Sequence, residues 1–558
     1  MRIIIEEYSY PRATLKQLLP DFDLNLQDDK SQVKVGYVGY CYSSALKDCV
    51  FFLPKVILNA ENKVFGKYDP VLLLDLDDAY RKKEITKEHY DFLYGLSVWL
   101  YRSIKVFKTD PKNEKSDIVT QRVVSYLDGT KFKVDSTIVD IILSLIKFYN
   151  DNQDFFLFII KNTHSGYNKV NWRKTIATQQ PLVQHSKPLY LKPVNKKKQI
   201  NFDEELLIIF YSILNYINKT YGFSCKVNCN YELIDKQLFE AYRKRLGKKR
   251  LLEIKYKYFS DKSQHLWKLC YAFFNCSAQI CSSKQLEDFL IAKDFNIVFE
   301  AIIDELIGSD VPKGLKEQQD GKIVDHIYSY PSLMRPENIY YIGDSKYYKI
   351  GASVGENSIY KQYTYAKNVI QYNFDLIFGK QNGGSPLPYR DDLTEGYNIT
   401  PNFFISADIT EPYSYREERL KIRDNDKDKR MSKQFENRLF DRDTLWLSHY
   451  DINFLYVLSL YGRDNDPAKK IFKDKVRRIF RCEVIGLLNG QYNFYKLEFE
   501  STEGREKFIK DNFRFLLGKL YHYDGMLILA IERNCRDKSK IFNLIDKECD
   551  FVKRYKLI

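Results

Sequence analysis

Three acidic side chains and one lysine in the second half of this chain are spaced so that they could share one piece of chemistry. Asp325 lies in an apolar run, KIVDHIY. Eighteen residues separate it from Asp344, which with Ser345 and Lys346 ends a second apolar run, IYYIGDSKYY. Both runs read as strands. Side chains alternate along a strand, so Asp344 and Lys346 share one face and Ser345 takes the other. If the two strands pair side by side, Asp325 reaches the same face. Glu300, in the helical stretch FEAIIDELI, could pack on that sheet and offer a third carboxylate. Two carboxylates plus waters and a phosphate oxygen are what Mg²⁺ takes. A metal so held acidifies a bound water, and a lysine beside it can orient that water or offset developing charge. The chemistry implied is metal-dependent hydrolysis of a phosphodiester.

A D-x-K or E-x-K triplet alone says little in a lysine-rich chain. Asp110-Pro111-Lys112 falls in a charged loop, Asp320-Gly321-Lys322 in a turn, and Glu253-Ile254-Lys255 in a helical context with no acidic strand before it. The weight rests on the order: helix with Glu, strand with Asp, strand with D-x-K, helix. The competing reading makes Asp344 and Lys346 an ion pair on a wet face. The apolar strands argue against it, because carboxylates are costly to bury without a counter-charge. Asp304 and Glu305, one turn on, are rivals to Glu300. His326 points away from the face of Asp325 and reads as structural.

The elements that must position these residues follow from the apolar patterning. Residues 1 to about 75 read as β-rich, with VKVGYVGYCYS and CVFFLPKVILNA as strands, and Pro54 suggests an edge strand or a bulge. KEHYDFLYGLSVWLYRSIKVF repeats apolar residues at helical spacing. Residues 118 to about 285 read as mainly helical. Within them, residues 161–201 hold nine Lys or Arg, three Pro and no acid, and read as a basic, mostly irregular segment. Eight further basic residues lie between Arg243 and Lys257. Either stretch could contact phosphate or simply be a solvated face. From residue 286 the pattern is mixed. A helix ends at Gly308 as its C-cap, and a hairpin-like strand pair carries the two aspartates. A helix follows over SIYKQYTYAKNVIQYNF, and NFFISADI and DINFLYVLSLY read as strands. Between those last two, EERLKIRDNDKDKRMSKQ reads as an inserted loop or exposed helix, and a β-α-β order closes the chain. The expected fold is α+β and multidomain. A β-rich unit covers 1–118 and a helical, basic region 119–285. A mixed sheet flanked by helices covers 286–558, with a charged insertion near 412–436.

Composition narrows the class. The chain has 558 residues, 44% of them hydrophobic, and 88 basic against 74 acidic side chains, a net +14. At roughly 100–200 residues per domain this predicts three or four domains. The positive excess favours a polyanionic partner. No apolar run is long enough to span a bilayer, and MRIIIEEYSYPR is unlike a signal peptide. Ten scattered Cys without C-x-x-C fit reduced thiols in a cytoplasm, and the pair Cys225 and Cys229 is a weak zinc signal. There is no P-loop, no dinucleotide fingerprint, no nucleophile elbow and no H-E-x-x-H.

Glu300, Asp325 and Asp344-Ser345-Lys346 in this order resemble the PD-(D/E)xK nuclease motif. Phe299-Glu300, GDSKYY at 343–348, and Tyr360-Lys361-Gln362-Tyr363 with Tyr365 are similar to one branch, the LlaJI-type restriction endonucleases related to McrC. VFFLPKV at 50–56 and NWRKTI at 171–176 also resemble segments of that family, so the similarity covers most of the chain. Val324 stands where the family usually has proline, a position with no chemical role. The resemblance implies that Asp325 and Asp344 bind Mg²⁺ and that Lys346 holds or activates the attacking water. Glu300 would complete the metal shell directly or through water. Gln362 would brace the lysine or touch phosphate, with Tyr365 beside it. Lys169, Arg173 and Lys174 of the basic stretch, and Tyr365, are the candidate DNA contacts. The implied partners are double-stranded DNA, a separate McrB-like AAA+ GTPase docked on the N-terminal half, and a second copy of the chain for double-strand cleavage. The missing P-loop agrees with that division of labour. The expected function is a Mg²⁺-dependent endonuclease subunit of a restriction (anti-phage) system. The alternatives are a non-catalytic activator of an NTPase and a stand-alone sequence-specific nuclease.

Overall fold

The computed structural model describes residues 1–19, 31–43, 48–113, 118–122, 124–127, 133–136, 138–152, 159–163, 169–199, 204–221, 227–228, 231–258, 260–282, 289–312, 314–318, 321–334, 336–378, 389–423, 430–463 and 465–557. Cys225 and Cys229 lie outside them.

The apolar runs of the first 55 residues form β1 (Arg2–Ile5), β2 (Tyr37–Ser43) and β3 (Asp48–Leu53). With β4 (Val119–Arg122) and β5 (Phe289–Lys293) they make a sheet of order β1-β3-β2-β5-β4, in which only β1 and β3 run parallel. β3 is therefore an inner strand. Pro54 marks neither edge nor bulge; it ends β3 by opening a short 3₁₀ turn, Lys55–Ile57. A proline can do this because the ladder no longer needs its missing N–H. β5 brings the chain back into this sheet directly before the helix that carries Glu300.

α1 (Lys87–Thr109) begins where the Thr86 side chain accepts from the His89 N–H, and it buries Leu93, Leu96, Leu100 and Ile104 against the sheet. The middle of the chain supplies α2 (Ile138–Asp151), α3 (Glu205–Tyr221) and α4 (Asp261–Ser282), packed on one another. The described residues of 161–201 are not mostly irregular. They contain a short helix, Trp172–Thr178, and a hairpin of Leu182–Gln184 with Lys187–Leu189. Asn195–Gln199 pairs with Ile159–Thr163. Local chemistry explains this: Asn171 caps the helix, and His185 and Ser186 take the positive φ that a tight hairpin turn needs. Charge content does not report either signal.

The second large sheet is mixed, of order β6 (His326–Pro331), β7 (Asn338–Lys346), β8 (Pro401–Asp408), β11 (Leu445–Asn453), β9 (Leu420–Ile422), with β10 (Arg430–Ser432) also on β11. β6 and β7 are antiparallel; β7, β8 and β11 are parallel. α5 (Phe295–Ile307) precedes β6 and packs on β6 and β7, and α6 (Glu356–Phe378) connects β7 to β8. Two expectations are corrected here. The charged insertion is not helix where described: it is bends and coil broken by two short strands, β9 and β10, which pair with β11. DINFLYVLSLY is strand only to Asn453. There the Asn side chain accepts from the N–H groups of Leu455 and Tyr456 and starts α7 (Phe454–Tyr461). α7 is apolar on every face, so periodicity could not tell it from a buried strand.

α8 (Asp466–Gln491) leads to an antiparallel sheet of β12 (Tyr492–Glu498), β13 (Leu520–Tyr523), β14 (Met526–Glu532) and β15 (Phe551–Tyr555), with its own apolar core. The two larger sheets instead share one continuous core with the helices. The chain is thus a mixed α/β fold with several sheets. Among the described residues no helix is long and apolar enough to cross a membrane.

Candidate active site

Register decides where the aspartates meet. In the β6–β7 ladder His326 faces Gly343. One further step sets Asp325, which lies in the bend just before β6 rather than inside it, opposite Asp344. Opposed residues of an antiparallel pair point to one face. The two carboxyls lie within hydrogen-bonding reach of each other, and Asp325 is pushed up to about 7 by burial and by the charge of Asp344. Gly343 lies on the other face, where a Cβ would sit 1.9 Å from the Phe403 ring, so the residue before Asp344 has no room for a side chain.

Asp344 is 4% exposed. The Nζ of Lys346 lies 2.6 Å from its Oδ2 and 5.2 Å above the Phe404 ring. The two do form an ion pair, but on a dry face. The other oxygen, Oδ1, is buried and accepts from no donor. Glu300 joins from α5: burial raises its pKa first, then the charge of Asp344, while Asn296 one turn earlier hydrogen-bonds it. Its rivals are engaged elsewhere. Asp304 pairs with Lys316 and faces His326 Nδ1 at 3.4 Å, and Glu305 pairs with Lys469. His326 is fully buried and belongs to that packing. The end of α5 is held by the buried Arg477 of α8, whose guanidinium donates to the carbonyls of Ile307 (2.6 and 2.9 Å) and Gly308 (2.7 Å). Gly308 is the C-cap residue, but with an extended backbone; it is needed because a Cβ would press on Asp304.

No family model, curated protein or solved structure matches this chain. What the site can do therefore rests on its own geometry.

Among the described residues no group of three or more His, Cys, Asp or Glu is arranged to hold a metal ion unaided. Asp325 and Asp344 form a pair, and Mg²⁺ commonly takes one or two carboxylates and fills its shell with water and phosphate oxygens. The pair fits such an ion on three counts: hard oxygen donors, an orphaned buried oxygen on Asp344, and an Asp325 carboxyl pushed toward protonation by burial and the charge of Asp344.

Gln362 is fully buried on α6, where its Nε2 donates to Asn402 Oδ1 at 3.3 Å. It thus ties α6 to β8 beside the site rather than bonding the lysine. Tyr365 is buried one turn on, with Lys361 Nζ 5.4 Å over its ring. Lys169, Arg173 and Lys174 are exposed on and before the short Trp172–Thr178 helix, outside the elements that build the site.

Sequence reasoning missed four neighbours. Lys361 feels the charges of Asp325 and Asp344 and has its pKa raised, first by the neighbouring Tyr365. Asn402, which the patterning marks only as strand, accepts from Gln362. Ser406 lies beside Lys346 in the parallel ladder and its Oγ is 2.8 Å from His449 Nε2. Burial, then the charges of Arg423 and Lys346, depress His449 to about 3, so it is neutral at working pH. The alternation in NFFISAD carried a signal for Asn402 and Ser406, since both share a face with Phe404. Their alignment with Lys346 needed the β7–β8 register.

Proposed function

We propose that this chain is a Mg²⁺-dependent DNA endonuclease, the cleaving subunit of a restriction system, built on a PD-(D/E)xK-like sheet. The observation that carries this reading is the placement of Asp325 opposite Asp344, with Lys346 paired to Asp344 on the same buried face. Mg²⁺ held by Asp325 and Asp344 would supply an acidified water and offset charge at the scissile phosphate. The chain's own groups do the rest. Lys346, fixed by Asp344, presents an ammonium that can orient the attacking water or bind a phosphate oxygen. Glu300 adds negative charge that strengthens cation binding. Gln362 and Asn402 fasten α6 to the sheet, and Lys361 offers a second cation toward the DNA backbone. The net +14 charge suits a polyanionic substrate.

A McrB-like AAA+ GTPase as partner, a cytoplasmic location and pairing of two copies for double-strand breaks belong to the same proposal. The sequence resemblance supports them, and the absence of a P-loop suits a separate NTPase. The test is plasmid cleavage with Mg²⁺, with and without the neighbouring-gene NTPase and GTP, for wild type and Asp344→Ala. Cutting by the wild type alone is expected. Equal cutting by both would refute the site. NTPase stimulation without any cleavage would make the chain a regulator, and cleavage that ignores the NTPase would make it a stand-alone nuclease.

A further inference from the structure

Tyr347 directly follows Lys346, the last residue of β7. It is 4% exposed. Its ring lies against Phe295 and Phe299 of α5, at centroid separations of 5.5 and 6.0 Å, and Glu300 is the next residue on that helix. Its hydroxyl donates to Glu6 Oε2 at 2.5 Å. Glu6 stands just past β1, in the N-terminal sheet, and is itself 5% exposed. The same oxygen accepts from the Lys55 N–H at 3.1 Å, and Lys55 Nζ lies 5.1 Å over the Tyr347 ring. Two more bonds fasten the following residues to the same unit: Ile350 N–H to Leu58 O at 3.0 Å and Lys349 Nζ to Asn62 Oδ1 at 2.6 Å.

One side chain therefore joins the strand bearing Lys346, the helix bearing Glu300 and the N-terminal sheet. A buried carboxylate is a costly way to hold two sheets together; an apolar contact of the same volume is cheaper. A carboxylate does what an apolar contact cannot, which is to fix a hydroxyl in direction as well as distance.

We propose that Glu6 and Tyr347 are positioning residues for the cleavage reaction: the N-terminal sheet, through the Glu6–Tyr347 bond, sets where Lys346 and Glu300 stand. This rests on the nuclease reading above. Neither residue touches substrate. Both act through the two site residues adjacent to Tyr347 and to its ring contacts. A small misplacement of such groups is enough to slow a reaction severely.

Steady-state plasmid cleavage by the full chain, with Mg²⁺, the NTPase partner and GTP present and with melting curves for every variant, tests it. Tyr347→Phe keeps the ring packing and loses only the hydroxyl. Glu6→Gln keeps an oxygen that can accept from it, and Glu6→Ala does not. Tyr347→Phe and Glu6→Ala are expected to lower kcat about tenfold or more with KM for DNA unchanged. Glu6→Gln should retain most activity, and the Glu6→Ala/Tyr347→Phe double variant should be no slower than the worse single. A folded Tyr347→Phe with full kcat, an effect confined to KM, or additive losses would overturn the positioning role. If Glu6→Ala does not fold, Tyr347→Phe and Glu6→Gln decide alone. Wild type that cuts, Asp344→Ala that does not and Tyr347→Phe that matches wild type sink this inference only. Wild type that never cuts sinks the nuclease reading and this inference with it.

Discussion

Asp325 and Asp344 face each other across the open end of an antiparallel ladder, in hydrogen-bonding contact, one in a bend and one in a strand. The contact sets two carboxyls together at one buried spot and makes that spot electrostatically unfavourable.

The first prediction concerns pH. Asp325 rises from an ordinary 3.8 to about 7 in the folded chain, through burial and then the charge of Asp344. The folded state thus binds this proton more tightly than the unfolded state. Its contribution to stability is complete below about pH 4 and is lost as pH climbs through 7. Asp325→Asn should therefore stabilise the metal-free protein by ~1–3 kcal/mol at pH 8 and hardly at all at pH 4. Mg²⁺ should raise the wild-type melting temperature at pH 8 and leave Asp325→Asn almost unmoved. Thermal melts at the two pH values check both; a variant less stable than wild type at pH 8 would contradict the repulsion.

The second concerns the buried ion pair. Lys346→Met leaves Asp344 buried without its cation, which should cost ~3–5 kcal/mol. Adding Asp344→Asn should recover much of that loss, while neither variant cleaves. Urea unfolding of the two singles and the double gives the coupling energy. A coupling near zero would mean the pair contributes nothing to the fold.

Gly343 carries the third. Because a Cβ there meets the Phe403 ring at 1.9 Å, Gly343→Ala should destabilise by ~1–3 kcal/mol and displace Asp344. Phe403→Leu in the same chain should relieve part of the clash. Melting temperatures of the two singles and the double read this directly.

The fourth concerns the far end of α5. Arg477→Met removes the donors to the buried Ile307 carbonyl and one of the donors to the Gly308 carbonyl, which keeps Lys473 Nζ at 2.9 Å. A stability loss of ~2–4 kcal/mol is expected. Arg477→Lys should rescue little, because one ammonium cannot span both carbonyls as the guanidinium fork does. Denaturant unfolding of Arg477→Met and Arg477→Lys checks it.

The local chemistry of the site was legible from residue types. An aspartate beside an apolar run, a D-x-K at the end of another and a glutamate on a helix could be picked out because burying such groups is expensive, so their apolar setting was itself a signal. The strands 338–346 and 401–408 and the helix 356–378 followed from the same patterning, which depends only on near neighbours. It failed where that pattern is degenerate. The apolar α7 looked like strand, and the charged β9 and β10 looked like loop, because what makes them what they are is the Asn453 cap and the edge of β11.

What only the tertiary structure decided is who faces whom. The register that sets Asp325 against Asp344 belongs to a pair of strands, and no single segment encodes it. Asp304 and Glu305 rival Glu300 in the sequence, and it is Lys316 and Lys469, from elsewhere in the chain, that engage them. Glu6 and Tyr347 lie more than three hundred residues apart, and their bond arises because β5 carries the chain back into the first sheet immediately before α5. Residue identity sets which chemistry is available; the long-range pairing of strands sets which of those groups meet, because contact between distant segments is a property of the packed whole.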